Sequence, residues 1–191
     1  MGMQLLSAPA LEPVSLAEAK AQLRVDGTAE DALIDSLIVT SRLHIEAALG
    51  LALISQSWRL VLDCWPLSGG VELPVFSVTA VTAVRTLDAD GDAALIDSVG
   101  YAVDAIGRPA RVTSRSGYWP APGAPTNGIE IDFDAGYGAA AADVPAPIRQ
   151  ALLMLVAHWY EHRDPAAAET RDVRVPGPIS DLLAPYRLVS L

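Results

Sequence analysis

A helix with no polar side constrains the fold of this chain most. Two prolines, Pro145 and Pro147, stand where its first turn is expected. Proline suits that turn because its missing N–H would be unpaired there in any case. From Ala151 to Ala157 the sequence then reads Ala-Leu-Leu-Met-Leu-Val-Ala, which is apolar on every side of a helix. Such a helix must be covered on more than one side, by its own domain or by a neighbouring subunit. The residues expected to carry this helix or subunit packing are Ile148, Leu152, Leu155, Trp159 and Tyr160.

Two more helices are predicted near the N-terminus. Ser15 and Glu18 have the spacing of a capping box, which predicts a short helix that runs to about Arg24. Thr28 is expected to cap the next helix, which Gly50 ends. Apolar residues recur along it at helical spacing, and this stripe needs a packing partner. The stripe consists of Leu33, Ile34, Leu37, Ile38, Ile45 and Leu49.

The middle of the chain has the composition of β-structure. Short strands are predicted over residues 58–62, 77–87, 101–104, 110–113 and 129–133, with a turn at 88–92. Side chains in the last strand alternate between two faces. One face carries Ile129, Ile131 and Phe133, and the other carries Glu130, Asp132 and Asp134.

These elements predict an α+β fold. Two N-terminal helices and one long C-terminal helix form a helical bundle, with an antiparallel β-rich insert between them and an extended C-terminal arm after them. The expected boundaries are residues 1–53 for the N-terminal helices, 54–135 for the β-rich insert, 136–164 for the long helix and 165–191 for the arm. Tyr186, Leu188, Val189 and Leu191 favour an arm that binds a partner, because such residues are uncommon in purely solvated tails.

Composition limits the possible partners. Hydrophobic residues make up 51% of the 191 residues and charged residues 19%, which excludes a disordered chain. No apolar stretch is long enough to span a bilayer and no signal peptide is evident, so we expect a protein of the cytoplasm without a membrane partner. The single cysteine, Cys64, fits this expectation. A net charge of −10 argues against tight binding to nucleic-acid phosphates, although an acidic wall would let DNA slide past without sticking.

One motif points to catalysis. His158, Glu161 and His162 match the H-x-x-E-H pattern of inverted zinc proteases, with both imidazoles on one helix face. A third protein ligand is required, and the sequence offers no convincing one. A pattern of five residues also arises by chance. We therefore predict a protein that is not an enzyme and needs no cofactor or metal, with a metal-dependent hydrolase as the alternative.

The ordered set of segments resembles a known family. Gly136-Tyr137-Gly138, and the helix that opens at residues 144–150 and ends at Arg163, look like the end of the central region of head–tail connector (adaptor) proteins from tailed phages of the siphovirus type. Similar proteins occur in phage-like gene transfer agents. Residues 15–26, 30–35 and 56–58 resemble the same family's first two helices and the exit from the second.

The resemblance implies a structural role in a virion or phage-like particle, at the interface between head and tail. Copies of the chain, assembled in the bacterial cytoplasm, would form a ring below the portal protein that is expected to be twelvefold. The ring would extend the channel for double-stranded DNA, without reading its sequence, and would join the capsid to the stopper and the tail. A generic soluble binding module is a further alternative.

The resemblance also implies two sets of interaction residues. The C-terminal arm, from about residue 173 to 191, would dock on the portal, and acidic residues would line the channel. The arm candidates are Val173, Val175, Ile179, Leu182, Leu183, Tyr186, Leu188, Val189 and Leu191. The lumen candidates are Glu130, Asp132 and Asp134.

Overall fold

The computed structural model describes residues 1–162 and 176–187 and has the predicted α+β fold. The helices are α1 (Leu16–Leu23), α2 (Asp31–Leu49), α3 (Ala146–Glu161) and α4 (Gly177–Leu183). The strands are β1 (Gly2–Ser7), β2 (Gln56–Leu62), β3 (Gly70–Leu73), β4 (Val78–Leu87), β5 (Ala93–Leu95), β6 (Tyr101–Asp104), β7 (Ala110–Ser114) and β8 (Ile129–Ala135).

The chain divides into two compact units. The sheet unit comprises Met1–Ala10 and Ser55–Tyr137, and the helical unit comprises Leu11–Ile54 and Gly138–Leu191. The first ten residues therefore belong with the strands, because β1 pairs with β2. Strands β1, β3 and β5 were not predicted from the sequence.

All strand pairs in the sheet unit are antiparallel. A five-stranded sheet has the order β1-β2-β8-β4-β5, and a three-stranded sheet has the order β3-β7-β6. The central strand β8 alternates as predicted: Ile129, Ile131 and Phe133 are completely buried on one face. The predicted turn also forms, because the Asp88 carboxylate accepts hydrogen bonds from the backbone N–H groups of Asp90 and Asp92.

The helical unit is built around α3. This helix packs against α1, α2 and α4. Every residue from Ala151 to Tyr160 is buried or half-buried, so the prediction that this helix is covered on more than one side is confirmed. Its own chain supplies contacts along it, which means that the helix needs no neighbouring subunit to hide its apolar side chains.

Two of the predicted helix signals are present. The Glu18 backbone N–H donates to the Ser15 hydroxyl, and the Glu18 carboxylate accepts from the Ser15 backbone N–H, which completes the capping box. Gly50 ends α2 in the left-handed conformation that glycine adopts easily. The predicted Thr28 cap is wrong. The residue before α2 is Glu30, which makes no side-chain cap, and Thr28 instead accepts a backbone hydrogen bond from Asp31.

Removing the capping hydroxyl tests the start of α1. We expect Ser15→Ala to lower the free energy of unfolding by about 1 kcal/mol, because an N–H of the first turn loses its acceptor. Urea denaturation followed by circular dichroism measures this. Ser36→Ala is the matched control, since Ser36 is exposed in the middle of α2, and it should change stability by less than about 0.5 kcal/mol. Equal effects of the two substitutions would contradict the role of the cap.

Candidate functional site

The histidine pair on α3 does not form a metal centre with any other described residue. The rings of His158 and His162 lie 4.5 Å apart between centroids, and His162 Nδ1 lies 2.7 Å from the backbone oxygen of His158. Glu161 is exposed. Over residues 1–162 and 176–187, no group of three or more His, Cys, Asp or Glu side chains is placed to hold a metal ion. Three carboxylates that follow the motif (Asp164, Glu169 and Asp172) lie outside the described residues.

The acidic face of β8 forms an ion-pair cluster with the two strands beside it. We call Arg59, Arg85, Glu130 and Asp132 the sheet cluster. Asp132 is only 7% exposed and accepts two hydrogen bonds from Arg59, at 2.6 and 2.9 Å, and one from Arg85 at 2.5 Å. Glu130 lies 3.0 Å from Arg59 and 3.8 Å from Arg85. Two positive and two negative charges therefore balance across strands β2, β8 and β4.

The electrostatics of the sheet cluster favour the charged form of Asp132. Burial alone would raise the pKa of its carboxyl, but the hydrogen bonds and charges of Arg59 and Arg85 outweigh burial and hold that pKa below its usual value. The pKa of Arg59 is raised above its usual value, chiefly by its hydrogen bond to Asp132. The ion pairs and hydrogen bonds of the sheet cluster therefore connect strands β2, β8 and β4.

These contacts bear on the three lumen candidates. Asp132 is buried, and the charges of Asp132 and Glu130 are neutralised by arginines. Asp134 accepts a hydrogen bond of 2.6 Å from the Ser57 hydroxyl. This strand therefore does not present three free carboxylates to solvent. A channel-lining role for the three residues stays a prediction, and the pairing with arginine argues against it.

Sequence reasoning missed the two arginines of this cluster. Arg59 lies opposite Asp132 in the register of β2 with β8, and Arg85 lies opposite Glu130 in the register of β4 with β8. The signal available was that each arginine interrupts a predicted strand. Their partner could be recognised only once β8 was known to lie between those strands.

The five packing candidates on α3 lie inside the helical unit. Ile148, Leu152 and Leu155 are completely buried. Trp159 packs against His44 of α2, with ring centroids 5.5 Å apart at 86°, and the Tyr160 hydroxyl donates a hydrogen bond to the Glu30 carboxylate. In this structure all five therefore serve helix packing within the subunit.

Some candidate arm residues are described by the structure, and others lie outside the described residues. Ile179 and Leu183 belong to α4, which packs on α3 and leaves these side chains 1% and 5% exposed. Leu182 and Tyr186 are half-buried. The other candidates (Val173, Val175, Leu188, Val189 and Leu191) lie outside the described residues. Ile179 and Leu183 thus contribute to the core of the subunit in this structure and are not available to a partner.

Comparison with protein families decides what kind of protein has this architecture. Residues 13–172 match the model of the family "Head completion protein". The match covers most of the chain, including α1, α2, α3 and all strands except β1. The chain belongs to the head completion protein family. The resemblance to head–tail connectors, noted from the sequence, is confirmed.

Solved structures similar to this head completion protein come from gene transfer agent (GTA) particles. A chain in the neck of an empty GTA particle, computed with C6 symmetry, is 29% identical with a TM-score of 0.84. A chain in the virion of the native GTA particle is 29% identical with a TM-score of 0.83. A chain in the native neck, computed with C12 symmetry, is 27% identical with a TM-score of 0.81. Each similarity covers 100% of this chain and 97% of the other. No curated protein sequence matches this chain.

Family and architecture together make this protein a structural head–tail connector, located at the head–tail interface of a phage or phage-like particle. None of the helices in the described part of the chain combines the length and apolar character needed to cross a membrane.

Proposed function

We propose that this head completion protein forms a ring below the portal vertex, extends the DNA channel and presents a surface to the stopper and the tail. The observation that carries the proposal is the full-length similarity to a chain of a C12-symmetric GTA neck, which covers 100% of this chain. Twelve copies are proposed on the same ground. Function then consists of binding geometry, because each subunit must meet its neighbours through two different surfaces for a ring to close.

The net charge of −10 supports the role of a DNA conduit. A wall with an excess of carboxylates repels the phosphate backbone, so DNA passes without being held. Acidic residues outside the sheet cluster are the better source of this repulsion, since Glu130 and Asp132 are paired with arginines.

Mixing the purified chain with the portal protein of the same genome tests the ring. We expect electron microscopy to show a ring of this protein on one end of the portal, with twelve copies by mass measurement. Free chain alone is not a sufficient test, because a ring can require the portal as its template. Portal particles that acquire no ring, or only scattered single copies, would refute the proposed function.

The portal-binding arm is proposed to be the C-terminal segment beyond α4, preceded by the two half-buried arm candidates Leu182 and Tyr186. Leu188, Val189 and Leu191 supply apolar side chains in this segment. Removal of the whole region 173–191 would be a poor test, because it would also remove α4 and uncover the side chains of α3 against which Ile179 and Leu183 pack.

A shorter truncation separates docking from folding. We expect deletion of residues 188–191 to weaken portal binding at least tenfold, since three apolar side chains that would be buried at the portal are lost, each of which is worth about 1.5–3 kcal/mol when fully buried. The urea midpoint of the isolated chain should stay unchanged. Sedimentation with portal measures binding, and Ile106→Glu, at a side chain 95% exposed in the sheet unit, serves as the control. Undiminished binding by the truncated chain would contradict a portal-binding role for residues 188–191.

A further inference from the structure

The outer side of α2 is unusual for an exposed helix in an acidic protein. α2 lies wholly within the described residues, and the residues along the middle of its solvent side carry no charge, with the exposed Asp35 at the margin. We call these residues the α2 outer face: Ala32, Leu33, Ser36, Val39, Thr40, Leu43 and Ala47. A surface helix ordinarily places its charged residues on this side.

Three large apolar side chains stand out on this face. Leu33, Val39 and Leu43 are 36%, 38% and 53% exposed. The Thr40 hydroxyl donates a 2.8 Å hydrogen bond to the backbone oxygen of Ser36, so this polar group already has a partner. The face extends for about 22 Å along the helix, at 1.5 Å per residue from Ala32 to Ala47.

The charged residues of α2 are mostly engaged elsewhere. Asp31 lies 2.6 Å from Lys20, and the nearly buried Arg42 lies 2.7 Å from both Glu12 and Glu46. The hydrogen bonds that Arg42 donates to these two carboxylates, together with their negative charges, outweigh the effect of burial and raise the pKa of Arg42 above its usual value. The charges of the helix therefore fix its position in the subunit, while Asp35 alone remains exposed at the margin of the outer face.

A groove of about 450 Å³ lies beside the face and shares Val39 with it. Its lining is mixed: it includes apolar residues such as Leu11 and Ile38, but also Glu12, Glu18 and Asp35. The uncharged surface is therefore the α2 outer face alone, and the groove is not part of the proposed contact.

We infer that the α2 outer face is a lateral contact surface for a second copy of this chain; this rests on the proposed ring. Charge selects that occupant. Two copies of a chain with net charge −10 repel each other, so a close contact between copies is favoured where neither places unpaired carboxylates. A different protein could instead offer basic residues to an acidic surface. The central part of protein–protein interfaces is likewise depleted of charged residues.

The contact is heterologous in a ring. The α2 outer face of one subunit meets a different surface of the next, and repetition closes the circle. A self-paired contact, with the outer face of one copy against the same face of another, would stop at two copies.

A charge placed in the centre of the face tests this inference. We expect Leu43→Glu, in the full chain, to reduce the fraction of portal particles that carry a complete ring at least tenfold, because the new carboxylate must be desolvated between acidic copies. The isolated variant should keep the wild-type circular dichroism spectrum and urea midpoint, since Leu43 is half exposed in the subunit. Leu43→Met should assemble normally.

The control is Leu95→Glu, at a side chain 68% exposed in the sheet unit, which should assemble as wild type. Complete rings from Leu43→Glu, or an equal loss from both glutamate variants, would overturn the inference. Failure of the wild-type chain to form a ring would instead refute the proposed function.

A photo-crosslinker identifies the occupant directly. With p-benzoylphenylalanine at position 43, irradiation of portal mixed with the chain should give covalent products of two copies of this chain. Peptide mapping should join position 43 to a residue outside α2. Products that contain only portal, a product that joins α2 to α2 in dimers, or no product would each overturn the inference.

Discussion

Leu155→Ala is expected to lower the unfolding free energy of the isolated subunit by about 3 kcal/mol, within the 2–5 kcal/mol range found when buried leucines are truncated. Leu155 is completely buried on α3, so its removal leaves a cavity as well as losing apolar burial. Urea denaturation of the free chain at neutral pH measures the change. A loss this large would remove a substantial part of the stability of an ordinary domain.

The comparison variant for Leu155 is Leu43→Ala on the outside of α2, which should change stability by less than about 0.5 kcal/mol. This pair of variants separates two interpretations of apolar helix residues. Truncating a residue that is buried inside the subunit destabilises the free chain. Truncating a residue that is buried only between subunits affects assembly. A loss below about 1 kcal/mol for Leu155→Ala would contradict the assignment of α3 to the subunit core.

Asp132→Asn is expected to lower the unfolding free energy at pH 7 by about 2–3 kcal/mol, somewhat below the 3–5 kcal/mol typical of a fully buried pair that loses one partner. The reduction is smaller here because Arg59 and Arg85 keep 24% and 26% of their side chains exposed. The substitution removes the charge that both guanidinium groups contact and leaves them with Glu130 alone. Urea denaturation again provides the measurement.

The pH dependence of this effect has a definite sign. The pKa of Asp132 in the folded chain lies below its usual value, so the carboxylate stabilises the fold fully above the unfolded pKa of about 4. That stabilisation is lost as the pH falls from about 4 through the folded pKa. The stability difference between wild type and Asp132→Asn should therefore shrink between pH 5 and pH 2.

The control for the sheet cluster is Asp134→Asn, at the next outward position of β8. Asp134 accepts a hydrogen bond from Ser57 and contacts neither arginine of the cluster, so we expect a loss below about 1 kcal/mol. A pH-independent difference for Asp132→Asn, or equal losses at both positions, would show that the ion pairs do not stabilise the sheet.

Local patterns in the sequence predicted the helices and the main strands because their causes are local. The capping box at Ser15, the glycine that ends α2 and the alternation along β8 all depend on neighbouring residues. Thr28 shows the limit of such signals. A threonine before a helix caps it only if the backbone places its hydroxyl near the first turn, and here the chain makes another turn before Asp31.

Features that depend on distant partners could not be predicted. All residues of β1 are exposed, so the strand shows no alternation of buried and exposed positions. Only its pairing with β2 makes it a strand. The ion pairs on the acidic side of β8 could not be predicted because the arginine partners of Asp132 lie 73 and 47 residues away along the chain. Whether α3 is covered by its own subunit or by another copy was likewise open until the packing of α1, α2 and α4 was known.

The order of strands in the five-stranded sheet determines when that sheet can form during synthesis. Its middle strand β8 pairs with both β2 and β4, yet it is the last of the five to leave the ribosome. Until it emerges, β1 and β2 on one side and β4 and β5 on the other can pair only as separate two-stranded units, which are marginally stable in water. Newly made chains therefore expose unpaired strand edges for most of their translation, and slower elongation before residue 129 should increase the share that aggregates.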